Sequence, residues 1–142
     1  MPDLALTEPT NDFADVFDSL VTSQKSAPLA ADLAGPAVVQ FDANGEFKLA
    51  SAANAAGARG LFFTQTARQK GQAVDGLKAV KIDGYDLESL AFGDTVYLSD
   101  TPGRPSTTAG TVSTPVAHVV PGHSSRVGEP AKKLLQFDVT RA

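Results

Sequence analysis

The chain has 142 residues, of which 16 are acidic, 12 are basic and none is cysteine, and its formal net charge is −4. This length predicts one domain with a hydrophobic core of its own, and the lack of cysteine excludes disulfides, thiolate catalysis and cysteine-bound zinc within these residues. Residues 1–20 carry five acids and no base, so the other 122 residues hold 12 bases and 11 acids, with no basic stripe that could bind nucleic acid or an anionic membrane. Met1–Leu4 show no signal-peptide pattern and no apolar run approaches the length of a membrane span, so we expect a protein that is made in the cytoplasm and stays outside membranes.

An apolar stripe lies within the acidic first part of the chain. Its members fall at i, i+3, i+4, i+7 and i+8, the spacing of one helix face, and they are Phe13, Val16, Phe17, Leu20 and Val21. Asn11 can cap the start of such a helix. The pattern predicts a short amphipathic helix over about residues 12 to 21, which needs a surface to pack on because a helix this short is marginal in water. That surface is either the chain's own body or a neighbouring subunit.

The rest of the chain has the pattern of short strands and turns. An alanine-rich linker covers Ser26 to Pro36, and the turn residues Asp42–Gly45 then predict a hairpin between strands at 37–41 and 46–50. Further strands are predicted at 61–66, 77–82, 95–99, 115–120 and 133–139. Residues 49–60 are interpreted as a short helix or a loop, and residues 86–91 as one capped helical turn.

This succession of strands determines the predicted fold class. No long helices alternate with the strands, which argues against a parallel α/β sheet. We therefore predict a mainly β protein, a small antiparallel β-barrel or sandwich with an N-terminal arm carrying a short amphipathic helix. Residues 1–35 form the arm, helix and linker in this prediction, and residues 36–142 form the β domain.

Residue types that could support catalysis are few and poorly spaced. His118 and His123 are separated by Pro121-Gly122, so they cannot share a helix face as a zinc-binding His-x-x-x-His pair does. Asp100-Thr101-Pro102-Gly103 differs from the Asp-Thr-Gly of aspartic proteases by an inserted proline. One carboxylate-rich segment lacks the spacing of an EF-hand loop; it contains Asp83, Asp86, Glu88 and Asp94. We predict no enzymatic activity, no cofactor and no metal site.

Two features suggest contacts with another protein. Phe62 and Phe63 are adjacent in one strand and so point to opposite faces; one of them must lie under the arm, in a subunit interface or inside a sheet covered on both sides. The loop Ser106–Thr111 is small, polar and uncharged, and it is either a hairpin connection or a contact surface. The candidate partner-binding residues are therefore the five residues of the apolar stripe together with Phe63, Thr107 and Thr108.

A longer motif runs from Phe92 to Val120. It begins with Gly93-Asp94-Thr95-Val96-Tyr97, continues through a glycine-containing turn and a threonine-rich loop, and returns in the valine-rich strand Val116–Val120, with Gly71-Gln72-Ala73-Val74 preceding it. Over about Gly71 to Val120 the chain resembles the capsid decoration (cement) proteins of tailed bacteriophages. It departs from the family at Ala117, where family members often carry glycine.

This resemblance implies a structural role. Decoration proteins bind the outer surface of the capsid lattice, often as trimers, and bridge neighbouring major capsid subunits. The expected partners are thus the major capsid protein and further copies of this chain, and the expected location is the outer surface of the virion. The alternatives are another virion β module, such as a tail-fibre or connector component, and a small-ligand-binding barrel.

Overall fold

A computed structural model describes residues 3–4, 15–18, 24–65, 67–122 and 133–139, with the backbone alone for 15–18 and 24–26. The strands in these ranges are β1 (Asp15–Asp18), β2 (Gln24–Pro28), β3 (Ala37–Phe41), β4 (Phe47–Leu49), β5 (Leu61–Thr64), β6 (Ala73–Leu77), β7 (Ala79–Asp83), β8 (Thr95–Leu98), β9 (Pro105–Ser106), β10 (Pro115–Pro121) and β11 (Lys133–Asp138). A 3₁₀ turn at Ala56–Ala58 is the only helical element of the described ranges. The predicted mainly β class is confirmed.

The strands form two antiparallel sheets. One sheet has six strands in the order β1-β7-β11-β10-β8-β9, and the other has five in the order β2-β6-β5-β3-β4. Both sheets contribute to a common main core, in which Phe63 of β5 stacks on Phe137 of β11 with ring centroids 4.2 Å apart. The two sheets therefore behave as one cooperative unit, because removing either would expose the other's apolar face.

A second, smaller core covers the opposite face of the five-stranded sheet. Leu29 and Leu33 follow β2 and are buried there against Phe47 and Phe62. Backbone hydrogen bonds hold this crossing segment at both of its leucines, since the Leu29 N–H donates to the Gln72 carbonyl at 3.0 Å and the Leu33 N–H donates to the Arg68 carbonyl at 2.8 Å. The predicted linker is thus part of the packed body rather than a free connection.

This cover explains the two adjacent phenylalanines. Phe63 faces the main core with no exposed surface, while Phe62 faces the second core and is 5% exposed. Of the three explanations given for the pair, the sheet covered on both sides is the one the structure shows.

The N-terminal segment differs from the helix predicted for it. Asp15–Asp18 form strand β1, paired antiparallel with β7 in a register that sets Val16 opposite Ile82. An edge strand offers backbone hydrogen bonds that outweigh the weak preference of a short segment for helix. Residues 12–14 and 19–21 of the predicted helix lie outside the described residues, so the helical arm is not shown.

Local turn chemistry agrees with the sequence where it is strongest. β3 occupies the predicted residues, and the turn after it has Gly45 at φ +78° with the Asn44 N–H donating to the Asp42 carboxylate at 2.8 Å. β6 and β9 were not predicted, and the predicted strand at 77–82 begins two residues later, as β7.

Gly76 provides a test of how closely the second core is packed. A Cβ atom at this buried position would lie 2.7 Å from the Phe47 ring tip and 2.8 Å from the Phe62 Cβ, which is held by its own backbone. We expect Gly76→Ala to lower the free energy of unfolding by about 1 to 3 kcal/mol, the usual cost of overpacking. Urea denaturation measures this, with the exposed neighbour Asp75→Ala as the control. Equal stability of both variants would mean that Phe47 and Phe62 shift to make room for the added methyl group.

Candidate interaction surface

Two large apolar side chains are exposed on the β3–β4 hairpin. Phe41 and Leu49 are each 42% exposed, although both belong to strands whose other apolar residues are mostly buried. Phe41 is held in place because its ring stacks on Phe47, with centroids 4.8 Å apart and planes 10° from parallel. Exposed apolar side chains that are fixed in this way favour binding, since little conformational freedom is lost when a partner covers them.

The turn that precedes β9 lies directly against this hairpin. Gly103 donates its N–H to the Ala50 carbonyl at 2.6 Å and accepts a hydrogen bond from the Val38 N–H at 3.0 Å. A Cβ atom on Gly103 would come within 2.7 Å of the Leu49 Cδ2, and its φ of +80° also favours glycine. The close approach therefore requires glycine and joins the turn to the exposed leucine.

The threonine-rich loop continues from β9 and is fixed by one carboxylate. Asp100 accepts hydrogen bonds from the Thr111 N–H at 2.8 Å and from the Thr111 hydroxyl at 2.7 Å. At the other end of the loop, the Thr108 N–H donates to the Ser106 hydroxyl at 3.2 Å. Hydrogen bonds within the chain thus hold the loop at both of its ends.

We call the set formed by the exposed hairpin residues Phe41 and Leu49, the turn 101–104 against Leu49 and the loop 106–112 that follows it the loop-hairpin surface. It combines exposed apolar side chains with hydroxyl groups and few charges, which is the composition of a protein-binding patch with an apolar centre and a polar margin. The hydroxyl and backbone groups of the loop can make hydrogen bonds to a partner without desolvating a charge.

The Asp100 carboxylate makes the order of the loop dependent on pH. Hydrogen bonds from the Thr111 N–H and hydroxyl lower the pKa of Asp100 below its usual value. Because the folded-state pKa is the lower one, this stabilisation is complete above the ordinary carboxyl pKa of about 4 and is lost as the pH falls through the folded-state value.

We expect Thr111→Val to raise the pKa of Asp100 towards its usual value, because the hydroxyl donor is lost while the backbone donor remains. Thr111→Ser keeps the hydroxyl and should leave the pKa near that of the parent. An NMR titration of the Asp100 carboxyl carbon in the three proteins measures the difference. Identical titrations of the valine and serine variants would show that the hydroxyl contributes nothing.

The sequence-predicted partner residues separate into three groups. Thr107 is half-buried and Thr108 is exposed, which fits both a hairpin connection and a contact loop, so their role in partner binding stays a prediction. Phe63 is wholly buried in the main core, so its predicted role in partner binding is corrected to a role in folding. Val16 and Phe17 lie in β1, and Phe13, Leu20 and Val21 are outside the described residues.

Phe41 and Leu49 were missed by the sequence analysis. The available signal was an apolar residue at each end of a short hairpin, which the strand pattern assigns to the core. Only the position of the hairpin at the rim of the five-stranded sheet leaves these two side chains uncovered.

A cleft of about 890 Å³ lies beside β10. Val116 and Ala117 of β10 form its apolar floor, at the point where the pairing of β10 with β8 shifts by one residue. Arg59, His118 and Asp138 line it as well. Its volume is that of a small-molecule site.

Other chemical groups of the described ranges serve the fold. Lys78 donates from Nζ to the Leu61 carbonyl at 2.6 Å and lies 4.2 Å from the centre of the Phe62 ring, and its partial burial lowers its pKa. Burial raises the pKa of Tyr85 well above its usual value.

Within the described residues no three metal-ligating side chains cluster, and no helix there is long and apolar enough to cross a membrane. His123 lies outside them.

Comparisons with known proteins give no further assignment. No protein-family model, curated protein or solved structure matches the chain.

Proposed function

We propose that the protein is a non-enzymatic head decoration protein that binds the outer surface of a tailed-phage capsid and stabilises it by bridging neighbouring major capsid subunits. The observation that carries the proposal is the loop-hairpin surface, in which Phe41 and Leu49 are exposed on a hairpin whose Leu49 contacts the turn that leads into an uncharged, hydrogen-bonded loop. This loop belongs to the same stretch of sequence that resembles the decoration proteins.

The physical demands of such a role fit these features. A capsid presents many identical sites, so a modest affinity at each site becomes strong attachment when several linked copies bind together. A rigid loop and fixed apolar side chains keep the entropic cost of each contact low. The loop-hairpin surface is assigned to the major capsid protein in this proposal, and contacts between copies are assigned to another part of the chain.

Co-sedimentation tests the proposal. Expanded, empty heads of the phage that encodes the chain are mixed with the purified protein, and both protein retention and resistance of the heads to heat are measured. We expect saturable binding in fixed ratio to the major capsid protein and a higher disruption temperature. Unexpanded heads serve as the control, and absence of binding to expanded heads would contradict the proposal.

The cleft favours a small-ligand-binding module as the second candidate. A thermal-shift panel of nucleotides, sugars and short carboxylic acids would support it if one compound raised the melting temperature at micromolar concentration. His118→Ala should then abolish that shift, because His118 lines the cleft.

A further inference from the structure

Both edges of the six-stranded sheet are covered by the same short segment of chain. β1 pairs with β7 at one edge. At the other edge Asp3 forms a bridge with Ser106 of β9, and the Leu4 N–H donates to the Pro105 carbonyl at 2.9 Å. Asp3–Leu4 and Asp15–Asp18 thus lie at the two edges at which the sheet could add a further strand.

The β7 edge is a stable acceptor for a strand. Val80 and Ile82 of β7 are almost completely buried in the main core, and β7 also pairs with β11 over four residues. If β1 left, the backbone groups facing it would lose their partners inside a rigid sheet. They favour any strand that restores this pairing.

The β1 pairing itself is short and interrupted. It involves four residues, and its register shifts between Val16 and Asp18. Because this short pairing lies at the edge of the sheet, β1 can leave without opening any other strand pair.

The Asp3–Leu4 anchor is of a different kind. Leu4 is 4% exposed and belongs to the main core, and its carbonyl accepts a hydrogen bond from Arg104 at 3.2 Å. The Arg104 guanidinium also lies 3.9 Å from the Asp3 carboxylate. One end of the segment is thus fixed by apolar burial and hydrogen bonds, while the other is held by four strand residues.

From this asymmetry we infer that β1 is exchanged between copies, so that β1 of one chain pairs with β7 of a second copy while Leu4 stays in its own core. Exchange preserves every β1–β7 hydrogen bond, so no pairing energy is lost. The inference rests on the proposed function, because a capsid lattice holds copies close enough for the effective concentration to favour the exchanged pairing.

Chain length limits the geometry of this exchange. From Asp18 to Gln24, where β2 begins, the chain advances six residues and can span about 20 Å at 3.3 Å per residue. The β7 edge of the accepting copy must therefore lie within about that distance of the donor's β2.

Engineered disulfides test the exchange directly, because the chain has no cysteine of its own. Asp15 and Asp83 are register partners, so Asp15→Cys and Asp83→Cys place two thiols at the spacing that a disulfide needs. The two single variants are coexpressed, purified together, bound to expanded heads and oxidised. We expect a disulfide-linked heterodimer of twice the 14.7 kDa chain mass, and its loss on reduction.

A matched pair controls for random oxidation. His118→Cys and Gln136→Cys are register partners in the middle of the same sheet, where exchange would require half the sheet to open, so this mixture should give no heterodimer. The double variant D15C/D83C shows that the engineered disulfide can form. If it forms within single chains and the mixed single variants give no heterodimer on saturated heads, the exchange is refuted although the proposed function stands. A heterodimer in free oligomers that do not bind heads would support exchange and refute the proposed function.

Discussion

Phe63→Ala is expected to cost about 3 to 5 kcal/mol of the free energy of unfolding, the usual range for a phenylalanine removed from a packed core. Phe63 has no exposed surface and stacks on Phe137, so alanine would leave a cavity between the two sheets. A small domain has only about 5 to 15 kcal/mol of stability in total. The variant should therefore unfold at a much lower urea concentration, or fail to fold at ordinary temperature.

The control for this prediction is Phe92→Ala. Phe92 is 47% exposed, so its removal should change the unfolding free energy by well under 1 kcal/mol. If Phe63→Ala instead unfolded like the parent and lost only its binding to a partner, the sequence-based assignment of Phe63 to an interface would be restored and the described core would be wrong.

The elements that were predicted correctly are those determined by nearby residues. The β3–β4 hairpin follows from a turn whose Asn44 and Gly45 adopt the conformation that their residue types favour. The strands near residues 95 and 115 follow from alternation within a few positions. Such signals need no knowledge of distant parts of the chain.

The elements that were missed depend on distant partners. Leu33 is held by Arg68, 35 residues later, and Asp3 by Ser106, 103 residues later. No local pattern distinguishes the crossing segment around Leu29 from a linker. Its two leucines can be recognised as core residues only when the outer face of the five-stranded sheet, on which they pack, is known. The same holds for β1, whose apolar spacing also fits a helix.

The candidate surface was predictable only in part. The threonine-rich loop is visible in the sequence as an uncharged polar run, and its exposure agrees with that interpretation. Its rigidity was not visible, since it depends on Asp100 contacting Thr111 across the loop. Phe41 and Leu49 were predicted only as strand residues, because a strand pattern does not show which hairpin lies at the rim of a sheet.

Phe41→Asp and Leu49→Asp are expected to have the largest effect on binding to heads. Each places a charge on an exposed apolar position of the loop-hairpin surface, and loss of a central interface side chain typically costs about 2 to 4 kcal/mol per site. That loss corresponds to about a 30- to 1000-fold weaker affinity at each site. Because attachment depends on several sites binding together, retention in co-sedimentation should fall to the level seen with unexpanded heads.

Phe92→Asp separates this specific effect from a general effect of added charge. Phe92 is as exposed as Phe41 and Leu49 but lies outside the loop-hairpin surface, in the segment before β8, so its variant should still bind heads like the parent. Urea denaturation of all three variants identifies any loss of fold, which matters most for Phe41 because its ring stacks on Phe47. A folded Leu49→Asp protein that binds expanded heads as tightly as the parent would show that the shell contacts another face, and the loop-hairpin surface would lose its assignment to the major capsid protein.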